Sequence, residues 1–148
     1  FADRFTGIWR SRNAGASWSN VDERGVLSIT VDPTDSSIVY AAANDALGVL
    51  KSIDGGATFS LKNTGLPETL TARTGSVLVN PRNPNVLHVA TEGDGIFEST
   101  DGAESWYPLN KGLPDLVVFG LAMDPLFPDV LYASTNTSVY KFSTAAKD

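Results

Sequence analysis

An all-β chain of repeated four-stranded antiparallel units, about three and a half of them, is the fold class this sequence predicts. Three observations carry that reading. First, a turn motif of the form Ser-x-Asp-x-Gly-x-x-aromatic occurs three times, as SRNAGASW (Ser11 to Trp18), SIDGGATF (Ser52 to Phe59) and STDGAESW (Ser99 to Trp106). Second, the copies begin 41 and 47 residues apart, a period of stacked strand units such as propeller blades. Third, the rest of the unit recurs in the same register. A hydrophobic run ending in Asp/Asn-Pro appears as SITVDP, SVLVNP and GLAMDP; GIWRS, GVLKS and GIFES precede the turns, with a last copy SVYKFS; and KNTGLP (Lys62 to Pro67) returns as NKGLP (Asn110 to Pro114).

Each unit holds short apolar runs rich in Val, Ile, Leu and aromatic residues, separated by Gly, Pro, Asn and Asp. That composition is the chemistry of strands and turns. The first unit, about 5–22, is expected to supply only third and fourth strands, the third at Gly7 to Ser11. The second, about 25–63, places strands near 26–31, 38–43, 49–52 and 58–62. Asp32-Pro33-Thr34-Asp35 joins the first pair, because Pro fixes φ and Asp bonds nearby backbone. The third unit spans about 75–110. The fourth, about 117–144, supplies three strands, and its turn motif decays to STAAKD with Ala145 in the Asp position. In the turns themselves Gly can take positive φ, the Asp can accept local amide bonds, and the terminal aromatic can pack between sheets. No segment carries a helical apolar period.

Propellers close with 4–8 blades, so this chain reads either as part of a larger ring or as a protomer that completes one by self-association. A homodimer is one such expectation. The N-terminal and C-terminal units are nearly complementary, and two chains sharing blades would close about six.

The composition fits one globular β domain of 148 residues with 42% hydrophobic and 19% charged residues. A net charge of −6 with no basic run argues against nucleic acid and anionic membrane surfaces. No stretch approaches the length of a membrane span. With no Cys there are no disulfides and no thiolate metal sites.

The turn motif resembles the Asp-box, or BNR repeat, of sialidases, sortilin-type receptors, xyloglucanases and bacterial extracellular propellers built of GIFxSTDGGxTW-type repeats. The resemblance spans nearly the whole chain. It implies a β-propeller, secretion to an extracellular or periplasmic place, and a binding face, without a defined reaction. Within it, Ser11, Asn13, Gly15, Trp18, Ser52, Asp54, Gly56, Phe59, Ser99, Asp101 and Trp106 are structural turn residues. Neither a metal site nor a cofactor is expected, since the turns lack the dense oxygen set a cation needs.

Topology places a ligand face. In a four-stranded meander the 1–2 and 3–4 turns share one end, and the 2–3 and 4–1 connections share the other. The second end carries Asn44, Asp45, Glu92 and Asp94, together with Glu68 and Arg73 in the longest connection, Gly65 to Gly75. Any ligand, glycan or protein, is expected there. No catalytic residue is assigned. A glycosidase needs two carboxyl groups flanking the sugar bond, and a sialidase also needs an arginine cluster. Glu23, Asp45, Glu68, Glu92, Asp94 and Asp115 are available, and Arg24 and Arg73 could reach that face, but the Phe-Arg-Ile-Pro signature is missing. The segments DPTDSSIVYAA and NPRNPNVLHVA resemble those of xyloglucanases, without that family's catalytic Asp segments. His88, the one histidine, is expected to pack within a second strand. The expected role is a binding or scaffold module. Its alternatives are a fragment of a glycan-processing hydrolase, sialidase-like or xyloglucanase-like, and a protein-interaction propeller of the sortilin or photosystem-assembly kind.

Overall fold

Alternating apolar runs and turn residues fold as the period demands. The computed structural model describes residues 2–3, 6–44, 46–68 and 73–144. Among them, fourteen strands form four antiparallel sheets in chain order, with no helix. The first sheet holds β1 (Ala2–Asp3), β2 (Gly7–Arg10) and β3 (Ser19–Asp22). The second holds β4 (Val26–Val31), β5 (Val39–Ala43), β6 (Gly48–Ser52) and β7 (Ser60–Leu61). The third holds β8 (Thr74–Val79), β9 (Leu87–Thr91), β10 (Gly95–Ser99) and β11 (Tyr107–Pro108). The fourth holds β12 (Val118–Met123), β13 (Val130–Thr135) and β14 (Val139–Ser143). Every strand pairs with its chain neighbour, so each sheet is a meander, the blade of a β-propeller. The decayed motif at Ala145 and Asp45 of the loop face lie outside the described residues.

One expectation needs correction. The first sheet does not begin at the third-strand slot. Ala2 and Asp3 pair with Ile8 and Gly7, so β1 fills the second-strand slot ahead of it. The signal was a run too short to show a period.

Apolar clusters lie between the sheets. Ile8, Val26, Ala41, Ala43 and Leu50 join the first to the second. Tyr40, Ala42, Val49, Val77, Val89 and Trp106 belong to the cluster joining the second to the third. Ala90, Ile96, Val118 and Ala133 join the third to the fourth. Alternate residues of one strand therefore serve opposite neighbours, as in Ala41 and Ala42. This explains why β5, β9 and β10 are buried along their whole length.

Two features recur that the sequence pattern does not announce. The register slips between Val26 and Ser28, between Thr74 and Ser76, and between Val118 and Gly120, the same place in three blades. A bulge there raises the local twist of each first strand. The second feature is an asparagine clamp. Asn63 Oδ1 accepts from the Val49 amide at 2.9 Å and its Nδ2 donates to Leu47 O at 2.8 Å. Asn110 repeats this with the Ile96 amide at 2.8 Å and Asp94 O at 3.0 Å. The conserved spacing of KNTGLP and NKGLP thus ties the end of each four-stranded blade to the start of its own third strand.

Candidate functional site

At the turn end the three motif copies fold alike. Each serine hydroxyl accepts an amide four residues on, Gly15 onto Ser11 at 2.8 Å, Gly56 onto Ser52 at 2.8 Å and Ala103 onto Ser99 at 2.9 Å. Asp54 Oδ1 accepts the Ala57 and Thr58 amides, each at 2.9 Å, while Oδ2 accepts the Thr58 hydroxyl at 2.7 Å. Asp101 accepts the Ser105 amide at 2.9 Å and the Ser105 hydroxyl at 2.5 Å. In the first copy, Asn13 Oδ1 takes the Ser17 amide at 2.9 Å, and Nδ2 donates to the Ser17 hydroxyl at 2.9 Å. Ala103 occupies the glycine slot at φ 70, a left-handed conformation that this turn imposes even without glycine.

Hydrogen bonds to the ionised form favour it, so these carboxyls lose their protons more readily than free ones. The Thr58 hydroxyl and amide, then Ser52, hold Asp54 well below the usual carboxylate range. The Ser105 hydroxyl and amide hold Asp101 at about 2. A folded-state pKa below the ordinary value gives stability that is present above pH about 4 and lost as pH falls towards 2. The first copy shows what removes that dependence. An amide at this position keeps the amide acceptance and reverses one hydroxyl bond, as Asn13 does. Asp101→Asn is therefore expected to fold normally and to unfold less steeply on acidification than the parent. Thermal melts from pH 7 to pH 2 check this, and a variant that fails to fold at neutral pH would contradict it.

The aromatic at the end of each motif diverges by context. Trp106 is 1% exposed and wedged between the second and third sheets, its indole N–H donating to Lys62 O at 2.8 Å. Phe59 packs against the cluster of the first two sheets. Trp18 is 50% exposed, because no sheet precedes the first among the described residues.

At the loop end the structure gathers some candidates and separates others. The Glu92 amide donates to Arg73 O at 2.9 Å, and Glu92 also bridges to Val117. Arg73, half-buried Glu92 and half-buried Asp94 therefore form one rim of the third sheet. Glu68 is exposed in the long connection. Asn44 belongs to the second sheet and is buried at 3% exposure, its amide on Gly25 O at 2.8 Å, so it offers little surface. Arg24 is not available to grip a ligand carboxylate. It forks onto Asp22 at 2.9 and 2.5 Å, lowering the Asp22 pKa, and also reaches Phe59 O at 3.0 Å. The arginines Arg24 and Arg73 thus do not form a cluster of free guanidinium groups.

Three groups have surroundings that sequence reasoning did not foresee. Thr74 Oγ1 and Asp115 Oδ2 are buried at the loop end without a hydrogen-bond partner among the described residues. His88 is fully buried as expected, but its Nε2 lies 3.2 Å from Glu98 Oε2, on the neighbouring strand. The register places them opposite each other, a signal readable only once the hairpin is aligned. Among the described residues no group of three His, Asp or Glu side chains could hold a metal, and no helix is long and apolar enough to cross a membrane.

No protein-family model matches the chain. Among curated proteins it is similar to a xyloglucanase of Hypocrea jecorina, 33% identical over 115 residues, 66% of this chain and 13% of that protein. It is also similar to a probable oligoxyloglucan-reducing end-specific xyloglucanase of Neosartorya fischeri, 30% identical over 122 residues, 73% of this chain and 15% of that protein. The chain spans about a seventh of the length of these relatives. Among solved structures, a GH74 enzyme of Niastella koreensis superposes with a TM-score of 0.76 at 19% identity, over 96% of this chain and 26% of that one. An ancestral GH74 enzyme gives 0.72 at 24% identity, over 95% and 20%. YCF48 bound to a D1 peptide gives 0.64 at 20% identity, over 84% and 40%. The structural likenesses carry the fold: these sheets are β-propeller blades.

Proposed function

We propose that this chain is a run of blades from an extracellular glycan-processing propeller of the xyloglucanase kind, serving there as scaffold and saccharide-contacting face. The observation that carries the reading is the sequence similarity to two xyloglucanases over 115 and 122 residues, a length that crosses several successive blades. In this reading the Ser-x-Asp turns are Asp-boxes and hold the fold. Their chemistry agrees. A glycosidase general acid needs a raised carboxyl pKa, whereas Asp54 and Asp101 are both lowered. Contact with sugar hydroxyls falls instead to the loop-end rim of Arg73, Glu92 and Asp94, whose charged groups make the stronger hydrogen bonds.

Amide chemical shifts of the chain titrated with xyloglucan oligosaccharides test this, with xylan oligosaccharides as the comparison. The expected result is saturable shifts around Arg73, Glu92 and Asp94 with the xyloglucan fragments. Arg73→Ala should weaken binding by roughly 10-fold, the worth of one hydrogen bond to a charged group. Absence of binding, or shifts confined to the surroundings of Asp54 and Asp101, would overturn the proposal.

A further inference from the structure

We propose that Asn136 is an acceptor for an N-linked glycan. It opens the triplet Asn136-Thr137-Ser138. Of the nine asparagines in the chain it is the one followed two residues on by a serine or threonine. The structure also sets it apart. Asn63 and Asn110 spend their side chains in the clamps, Asn13 bonds to Ser17, and Asn80 Oδ1 accepts the Arg82 amide at 2.9 Å. Among the described residues the Asn136 carboxamide bonds to nothing, and the residue is exposed.

The turn from β13 to β14 is held by the neighbours of Asn136. Thr135 Oγ1 accepts the Thr137 and Ser138 amides, each at 3.2 Å, and donates to Ser138 O at 3.1 Å. The middle hydroxyl, Thr137 Oγ1, lies 3.2 Å from the Tyr140 hydroxyl. The Asn136 carboxamide and the Ser138 hydroxyl, the two groups that define an acceptor triplet, are left unengaged among the described residues. Asn44 and Glu92 hold the same slot in the second and third sheets, since the three amides donate to Gly25 O, Arg73 O and Val117 O in turn. Glu92 stays half-buried with the fourth sheet beside it, so a following sheet leaves the slot reachable. Asn44 is buried, but its carbonyl takes the amide of Leu47, which packs on the cluster of the first two sheets. Ser138 stands in the place of Leu47, just before the third strand.

The modification is a group transfer from an oligosaccharide carried on a polyprenyl diphosphate. Asn136 Nδ2 attacks the anomeric carbon, and the new N–C bond forms. The bond from that carbon to the diphosphate oxygen breaks, and the lipid diphosphate leaves with the electron pair. One Nδ2 proton passes to a base of the transferase. The glycan then stands beside the loop-end rim. Val117 is a neighbour of both residues: its carbonyl accepts the Asn136 amide at 3.2 Å, and it bridges to Glu92. Two strand spacings, about 10 Å, therefore separate the sugar attachment from Glu92.

Only the secretory compartment is taken from the extracellular role proposed above. The test supplies that compartment, so a failure here leaves the saccharide-contacting role standing. The full chain is expressed in yeast behind a cleavable secretion leader. Medium and microsomal fraction are both read by mass spectrometry, before and after peptide-N-glycosidase treatment in heavy-oxygen water. The expected result is a set of heavier glycoforms that collapse to one mass, with heavy oxygen fixed at position 136. Asn136→Gln and Ser138→Ala should each lose the glycan completely, and Ser138→Thr should keep it. Ser138→Ala leaves the asparagine in place, so its loss reads the triplet. All three variants alter exposed turn residues and should leave the thermal melt of the bacterially produced chain unchanged. A parent chain unmodified in both fractions overturns the proposal, as does a glycan that survives Ser138→Ala.

Discussion

Trp106→Ala is expected to cost about 3–5 kcal/mol, the loss for a buried large aromatic, and to lower the melting temperature by roughly 10 °C. The side chain is the largest of the fully buried set and is shared by two sheets. Its removal empties the space between Tyr40, Val49 and Leu66, and leaves Lys62 O without the indole donor. Trp106→Phe separates the two contributions. It keeps most of the packing and loses the bond to Lys62 O, worth about 1 kcal/mol. Denaturant unfolding of both variants measures the difference. A Trp106→Ala loss below that of Trp106→Phe would show that the sheets do not depend on this wedge.

Gly65→Ala is expected to destabilise the chain by about 3 kcal/mol, although it adds one methyl group. Gly65 is at φ 88, and a Cβ there would run into the backbone carbonyl of Trp106. The neighbouring Thr64 O also accepts the Trp106 amide at 2.9 Å, so the segment cannot back away without breaking that bond. Gly112 supplies an internal control. It holds the same place in NKGLP, at φ 78, but nothing lies within 4 Å of its added Cβ. Gly112→Ala therefore carries only the left-handed backbone cost, about 1 kcal/mol. Equal losses at the two sites would remove the proposed role of the Trp106 contact.

The contrast between Gly65 and Gly112 shows what the sequence could and could not say. Strand positions in the second and third units were legible because period-2 runs and Asp/Asn-Pro turns repeat in step, and β4, β5 and β6 fall where the runs fall. The loop-end and turn-end faces followed from meander topology alone. Contacts between units were not legible. The pairing of Arg24 with Asp22, the burial of Asn44 and the facing of His88 and Glu98 all depend on which way a side chain leaves its sheet. The bulge after each first-strand start shifts that parity by one, and no residue type marks it: Leu27, Gly75 and Phe119 fill the three places. Trp18 and Trp106 look the same in the motif, and among the described residues a preceding sheet covers Trp106 but not Trp18.

The side-chain pair at the second-strand and third-strand crossing constrains what the following unit can place against it. The slot reads Tyr40 with Lys51, then His88 with Glu98, then Tyr132 with Lys141. A lysine there donates to the carbonyl of the following turn. Glu98 has no proton to give when ionised, and it is held by His88 against a fourth sheet that brings no such turn among the described residues. An unequal crossover that placed the His88 unit ahead of a turn-bearing unit would set a buried carboxylate against a carbonyl oxygen, an acceptor facing an acceptor. The side chains at the junctions, and not the strand order alone, therefore constrain which unit can follow which.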